Sequence, residues 1–381
     1  MTADLLGPPA AAPAQMPGLD PYLSQVLARI TAADATNIGF PRATDIDYTA
    51  LAPFLAFMLN NPGDPRTDPI YPLHTMDVER RVLAWFANLF RAERGWTGYL
   101  ASGSTEGTLH GLRLARAKLI DPLVYYSNAA HYSVAKAARL LGLPAVAVNA
   151  DAHGEMDYPD LLAKAARNPS RAAIVVATIG TTMTEAIDSV PAIRRSLDTA
   201  GVARRWIHAD AALGGAPAAL TGRGEFDLAH GGSDSLVVSG HKWWGTPVPC
   251  AVTLAAHQPL IDSRLVSYIG NADTTIAGSR SGLAAVLLWH AVARYPLAEQ
   301  RLRVEKARTV AGYACRRLTS IGWMCWRNPD AVTVVLRPLP EPVAKQWPLP
   351  TDADWSHLTC MPGITTNHID QLVANLEGAI R

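Results

Sequence analysis

Cysteine is scarce in this sequence, with four among 381 residues. Cys250, Cys315, Cys325 and Cys360 are dispersed and form no CxxC pair, which speaks against a disulfide framework and against a zinc ribbon. They read as small buried hydrophobes in a reducing compartment. Charge is sparse as well: charged residues make up 18% of the chain, and 34 Lys plus Arg stand against 33 Asp plus Glu. A balance this even supplies no field for nucleic acid or an anionic membrane. No apolar run is long enough to span a bilayer, and no basic region precedes an apolar core near the N-terminus. The expectation is a cytoplasmic protein with no nucleic-acid or membrane partner. No GK[ST] follows the small-residue stretch at 103–107, so it is not a Walker A loop. His208-x-Asp210 is the nearest approach to a metal-ligand pair and has no third ligand at a telling spacing, so no metal is expected. There is no internal repeat.

What the chain does have is 49% apolar residues and the length for a large core in two or three structural units. Residues 1–18, rich in Ala and Pro, read as a disordered tail. In 19–97, Asp20-Pro21 leads into a helix with Leu23, Val26, Leu27 and Ile30 at helical spacing, a second apolar helix is expected over 51–59 and a third over 75–90. The turn-rich segment around 37–74 is long enough to be functional or interfacial. Over 98–280, strands expected at 123–126, 145–148, 172–178, 205–208, 236–238 and 251–254 alternate with helices such as 132–141 and 188–200. That alternation predicts a mostly parallel sheet covered by helices on both faces. Residues 281–381 are expected to form a smaller C-terminal α+β domain: a long helical region, a strand at 332–336 and a final helix at 369–380.

Ligands of open parallel sheets bind at the carboxyl ends of the strands, and four stretches reach that edge. SLVVSGHKWWGTPVPC (235–250) is a short apolar run that stops at His241 and Lys242 and is closed by Gly245, Pro247 and Pro249. RWIHADAALGG brings Asp210 to a strand end, AAHYSVAKAARLLG opens a helix on His131, and LASGSTEGTLHGL places Gly103, Ser104 and Thr105 before a helix at 106–118. These are the parts needed to hold pyridoxal phosphate. A lysine in a partly desolvated turn supplies an amine of lowered pKa for the aldehyde. A shielded carboxylate keeps the pyridine nitrogen protonated. His131 offers a flat partner for one ring face and Ala212 leaves room at the other. N–H groups at a helix start favour the phosphate, although the spacing of Gly103, Gly107 and Gly111 also suits plain helix packing.

Collinear motifs from about residue 37 onward carry a family resemblance. They include NNPGDP (60–65), Tyr71 to His74 with Glu79, STEG (104–107), HYSVAKAARLL (131–141), IGTT (179–182), HADAAL (208–213), SGHK (239–242) with PVPC (247–250), GSRSG (278–282) and WRNPDAVTVV (326–335). The chain resembles the pyridoxal-phosphate-dependent group II amino-acid decarboxylases, in the branch that contains bacterial histidine decarboxylase and plant serine decarboxylase. The resemblance implies fold type I, the aspartate-aminotransferase type, as a homodimer with shared sites. It implies Lys242 as the lysine bonded to the cofactor, Asp210 at the pyridine nitrogen and His131 stacked on the ring. Ser104, Thr105, Ser239 and His241 would surround the phosphate, with Gly103 in the same loop; Thr182 and Ala212 would touch the ring region, and Gly278 and Ser279 would reach the partner's phosphate. Tyr268 matches a mobile-loop tyrosine and is the candidate proton donor. Asn61, Tyr71, His74, Trp243 and Leu283 are the substrate-side candidates.

The expected reaction is α-decarboxylation of an L-amino acid to a primary amine, with histidine first. Where the branch has Asn-Gly-His, this chain has Ser281-Gly282-Leu283, and the lysine is followed by Trp243 and Trp244. A less polar pocket, suited to an aliphatic or aromatic amino acid, is therefore the alternative. Aldehyde synthesis, transamination and a silent homologue that only binds the cofactor are the other readings. A transaminase would need an arginine for the substrate carboxylate, and only Arg280 and Arg337 offer themselves.

Overall fold

The computed structural model describes residues 18–257 and 264–380; the tail expected over 1–18 lies, except for Gly18, outside the described residues. Asp20 caps α1 (Pro21–Asp34), its carboxylate accepting from the Tyr22 N–H at 2.9 Å. Among the described residues nothing covers the apolar side of α1, where Leu23, Leu27 and Ile30 are all exposed. The helix expected over 51–59 is instead a 3-10 helix, Thr49–Ala56, with Pro53 inside it and no buried residue. Proline removes an N–H and clashes with the preceding turn, so no regular α-helix propagates there. α2 (Met76–Leu89) buries Val82, Leu83 and Phe86 as the spacing requires.

The central layer is built from β1 (Thr97–Ala101), α3 (Ser104–Lys118), β2 (Leu123–Ser127), α4 (Ser133–Leu140), β3 (Ala145–Val148), α5 (Tyr158–Ala165), β4 (Ala173–Thr178), α6 (Val190–Thr199), β5 (Arg205–Asp210), α7 (Gly215–Leu220), β6 (Ser235–Ser239), α8 (Gly240–Trp243) and β7 (Ala251–Ala255). Its strand order is β1-β7-β6-β5-β4-β2-β3. The pairs from β6 through β3 are parallel, and β7 runs antiparallel to both β6 and β1. β4, β5, β6 and β7 are buried almost throughout, as a sheet covered on both faces requires. α3 lies flush on it. A Cβ on Gly107 would sit 2.3 Å from Val237, and one on Gly111 would sit 2.3 Å from the His208 ring. Those two glycines serve packing, whereas a Cβ on Gly103 would meet nothing within 4 Å.

A short hairpin, β8 (Leu265–Val266) and β9 (Asn271–Ala272), leads to α9 (Gly282–Arg294) and α10 (Leu297–Ser320). The single helical region expected here is broken at Tyr295 and Pro296, which take extended dihedrals. β10 (Cys325–Trp326), β11 (Thr333–Leu336), α11 (Glu341–Gln346), β12 (Thr351–Asp352), β13 (Trp355–Thr359) and α12 (Thr366–Ile380) complete the chain. The strands form a four-stranded antiparallel sheet in the order β10-β11-β13-β12. Core allegiance changes within α10: Val304 and Ala307 pack with the large core, Ala311, Ala314 and Leu318 with the small one. The two cores thus share α10, its first half on one and its second half on the other.

The segment 38–45 ties the two parts together. Ile38 is buried in the small core and its carbonyl accepts from the Thr359 N–H at 2.7 Å, while the Ala43 N–H donates to the Lys242 carbonyl at 2.9 Å. Gly245, at φ +58°, leaves no room for a Cβ beside the Ala43 carbonyl.

Candidate active site

Parallel register sets Thr178 beside Asp210, and Asp210 beside Val237, so β4, β5 and β6 end together. Thr178, Asp210 and Ser239 then border a cleft of about 330 Å³, within the range of small-ligand sites. Among the described residues it gathers from the sequence candidates Gly103, Ser104, Thr105, His131, Thr182, Asp210, Ala212, Ser239, His241 and Lys242.

One wall is the start of α3. Glu106, at the third helical position, reaches back: its carboxylate accepts from the Ser102 N–H at 3.0 Å and from the Tyr99 hydroxyl at 2.8 Å. The loop is thereby fixed with the first-turn N–H groups, which have no partner within the helix, at the cleft. Ser104 and Ser239 join hydroxyl to hydroxyl at 2.7 Å, linking α3 to the end of β6. N–H groups, two hydroxyls and an open glycine make a cradle for a phosphate.

Facing it, α8 carries Lys242 one turn beyond β6. Burial pulls the lysine's pKa below its ordinary value, with Asp210 opposing. Asp210 is itself pushed upward by burial, with Lys242 and the Ala212 N–H (3.3 Å) opposing. His131 is lowered by burial while Asp210 pulls it up, and its Nδ1 meets the Ser133 hydroxyl at 2.7 Å. His241 donates from Nδ1 to the Cys250 carbonyl at 3.0 Å. A buried carboxylate without a paired cation is costly; a protonated pyridine nitrogen would relieve Asp210, and a lysine of lowered pKa is the amine an aldehyde requires. The residues present fit pyridoxal phosphate.

The remaining candidates lie elsewhere in this chain. Trp243 does not line the cleft: it is wholly buried in the large core, with the Arg303 guanidinium 5.9 Å from its ring. Successive residues on a helical turn point about 100° apart, so with Lys242 in the cleft Trp243 faces inward. Trp244 is likewise buried, edge-on to Phe86. Asn61 is buried and donates to Glu79 at 2.8 Å. The Tyr71 hydroxyl donates to the Met58 carbonyl at 3.0 Å, the His74 Nδ1 accepts from the Met76 N–H at 3.3 Å, and Leu283 is half-buried at the start of α9. Gly278 and Ser279 are exposed, and Tyr268, 80% exposed, sits in the turn between β8 and β9.

Sequence reasoning missed Pro41, His357 and Thr359, which close the cleft from the 38–45 segment and from β13. No arginine lines the cleft among the described residues; Arg280 is buried in an ion pair with Glu79 and Arg337 is exposed beyond β11.

The profile of the pyridoxal-dependent decarboxylase conserved domain matches residues 104–279. A histidine decarboxylase of Acinetobacter baumannii is 39% identical over 359 residues, which cover 90% of this chain and 92% of that protein. The chain belongs to the pyridoxal-dependent decarboxylase family. A histidine decarboxylase of Mesorhizobium japonicum is 37% identical over 94% of this chain and 98% of its own length. Among solved structures, L-methionine decarboxylase from Streptomyces sp. 590 superposes with a TM-score of 0.86 at 27% identity, covering 95% of each chain. Glutamate decarboxylase of Lactobacillus brevis, at 18% identity and a TM-score of 0.78, shares the fold. The protein is a fold type I pyridoxal-phosphate-dependent amino-acid decarboxylase. Among the described residues, no helix of this decarboxylase is long and apolar enough to cross a membrane.

Proposed function

We propose that the amino acid decarboxylated is L-histidine, with histamine and carbon dioxide as products. The similarity to histidine decarboxylases over nine-tenths of the chain carries this reading. Ser102, Glu106, His357 and Thr359 are among the residues that line the cleft and give it polar walls. Pyridoxal phosphate, when bound, supplies the electron sink that lets the carboxylate leave.

The chain's own residues have distinct tasks. Lys242, whose amine burial holds below its ordinary pKa, would be the residue that holds the cofactor's aldehyde. Asp210 would hold a proton at the pyridine nitrogen, His131 would cover one ring face, and Ala212 would leave room at the other. Ser104, Thr105, Ser239 and His241 would surround the phosphate with the first turn of α3 behind them. Among the described residues no arginine lines the cleft to hold a substrate carboxylate in the plane of the ring, which favours loss of carbon dioxide over transamination.

We further propose a homodimer in the cytoplasm, in which Gly278, Ser279 and Tyr268 serve the partner's cleft and Tyr268 returns the proton to the α-carbon. Its support is an apolar surface that one chain leaves in water: Phe54, Leu55, Phe57, Met58, Ile70 and Leu73 are all exposed. Sedimentation equilibrium at micromolar protein reads the mass; a monomer retaining full activity overturns shared sites.

Incubation of the cofactor-loaded protein with each proteinogenic amino acid, with products read by mass spectrometry, tests the substrate. Histamine is the expected product. An amine from methionine or another apolar amino acid favours the reading that Leu283 suggested and overturns histidine. An aldehyde or keto acid overturns the reaction, and no product from any of them favours a silent homologue.

A further inference from the structure

Two cysteines far from the cleft meet where the chain turns out of α10. The helix ends at Ser320, and Gly322, at φ +75°, reverses the chain. The Gly322 N–H donates to the Thr319 carbonyl and the Trp323 N–H to the Leu318 carbonyl, each at 3.0 Å, the paired bonds of a helix that stops on a left-handed glycine. β10 therefore returns beside the last turns of α10. There the Cys325 thiol donates to the Cys315 carbonyl at 3.5 Å and lies 3.7 Å from the Thr319 hydroxyl. Residues 315 and 319 are one turn apart on one helix face, so the thiol sits against the face from which the Cys315 side chain leaves. Both cysteines pack at the edge of the small core and both stay partly open to solvent. Cys250 and Cys360 differ, being wholly buried. Burial pushes their thiols up to about 11 and about 12, whereas the neighbouring Cys315 side chain draws the Cys325 thiol below its ordinary pKa. A partly exposed thiol with thiolate character, beside a second cysteine, is the arrangement that oxidants select.

We propose that Cys325 and Cys315 form a modification site, at which a hydroperoxide oxidises Cys325 and Cys315 closes the disulfide. The Cys325 thiolate attacks one peroxide oxygen, the O–O bond breaks, and the leaving hydroxide takes up the thiol's proton as water. Cys325 is then a sulfenic acid. The Cys315 sulfur attacks its sulfur, the S–O bond breaks, and the hydroxyl leaves as water with the Cys315 proton. Two thiols are oxidised and one peroxide is reduced to two waters. The bond joins α10, which both cores share, to the first strand of the small sheet. Disulfides of reducing compartments are typically transient and redox-driven, and a thiol reductant should reopen this one. The inference is independent of which amino acid the enzyme takes.

The test treats the native holoenzyme with a small excess of hydrogen peroxide near neutral pH. Remaining thiols are then alkylated, and the unreduced protein is digested with trypsin for mass spectrometry. Cleavage after Arg308, Arg316, Arg317 and Arg327 puts Cys315 and Cys325 on separate peptides, 309–316 and 318–327. The expected result is these two peptides joined, lighter by two hydrogens than their sum, with Cys250 and Cys360 recovered alkylated. Dithiothreitol before alkylation should release both. In Cys315→Ser the joined pair should be lost and Cys325 should be trapped by dimedone as its sulfenic acid. Native protein in which both peptides are recovered alkylated after peroxide overturns the proposal. A bond from either residue to Cys250 or Cys360, or one that runs between two chains on non-reducing electrophoresis, overturns it as well. A dimedone adduct on Cys315 in Cys325→Ser, with Cys325 left a thiol in Cys315→Ser, overturns Cys325 as the attacking sulfur.

Discussion

Glu79 is the residue whose loss the fold should feel most. Its side chain is wholly buried on α2 and pairs with Arg280, whose side chain is 2% exposed. The same carboxylate accepts from the Leu100 N–H of β1 at 2.8 Å and from the Asn61 amide at 2.8 Å. Arg280 in turn donates to the Gly63 carbonyl at 2.9 Å. One ion pair therefore pins four segments: the 60–65 turn, α2, β1 and the strand-like run before α9. Removing one partner of a buried pair leaves an uncompensated charge, which costs about 3–5 kcal/mol. The Leu100 N–H and the Asn61 amide lose their acceptor as well, so Glu79→Leu should reach the upper end of that range. At about 2 °C per kcal/mol for a chain of this size, the melting temperature should fall by roughly 5–10 °C. Scanning calorimetry at one fixed cofactor concentration reads it, since bound cofactor shifts the midpoint by mass action. Glu79→Leu combined with Arg280→Met removes both charges and should recover most of the loss. A single-variant shift under about 2 °C, the size expected of an exposed pair, would refute the reasoning; so would a double variant that loses the sum of the two.

Burial holds His110 and His208 down to pKa values of about 3. Their folded values are depressed, so the stability they permit is complete above the unfolded value near 6.5 and is lost as pH falls from there towards 3. Between about pH 7.5 and 5.5 each should cost about 1.4 kcal/mol, and His208→Gln should melt with a visibly shallower pH slope than the native chain; parallel slopes contradict this. Gly111→Ala drives a methyl into the His208 ring, which Ser235 holds by a 2.8 Å hydrogen bond, and should destabilise by about 1–3 kcal/mol. Gly103→Ala, with open space around it, should cost less stability; thermal melts of the two separate packing from loop. Asp210→Asn should leave the fold intact and lower kcat far more than it weakens cofactor binding, read by steady-state rates against cofactor titration.

The parts of the site legible in the sequence are those delivered by local grammar. Lys242, Asp210 and Ser239 stand where apolar strands stop, and Gly103 to Thr105 stand where a helix starts, so strand ends and helix starts suffice to bring them to one cleft. Trp243 lies in the large core and not at the cleft, because adjacency in sequence says nothing about which side of a helical turn a residue takes. Pro41, His357 and Thr359 carried no signal: they reach the cleft only because segment 38–45 threads between the lysine turn and the small sheet. WSHLT reads as one more half-buried strand, and nothing in its alternation tells which face meets a cleft. The 49–56 helix and the break at Pro296 are decided by prolines, which override the apolar pattern around them. The β1 strand at the sheet edge pairs with β7, more than a hundred residues away in sequence, so no local pattern announces it.

The account turns on Lys242 being the residue that holds the cofactor. Reduction of the loaded protein with borohydride, followed by proteolysis and mass spectrometry, reads that bond directly. The account predicts a pyridoxyl-phosphate adduct on the peptide carrying Lys242, absent from Lys242→Ala along with the visible absorbance. An adduct on another lysine, or none on the native protein, would contradict it.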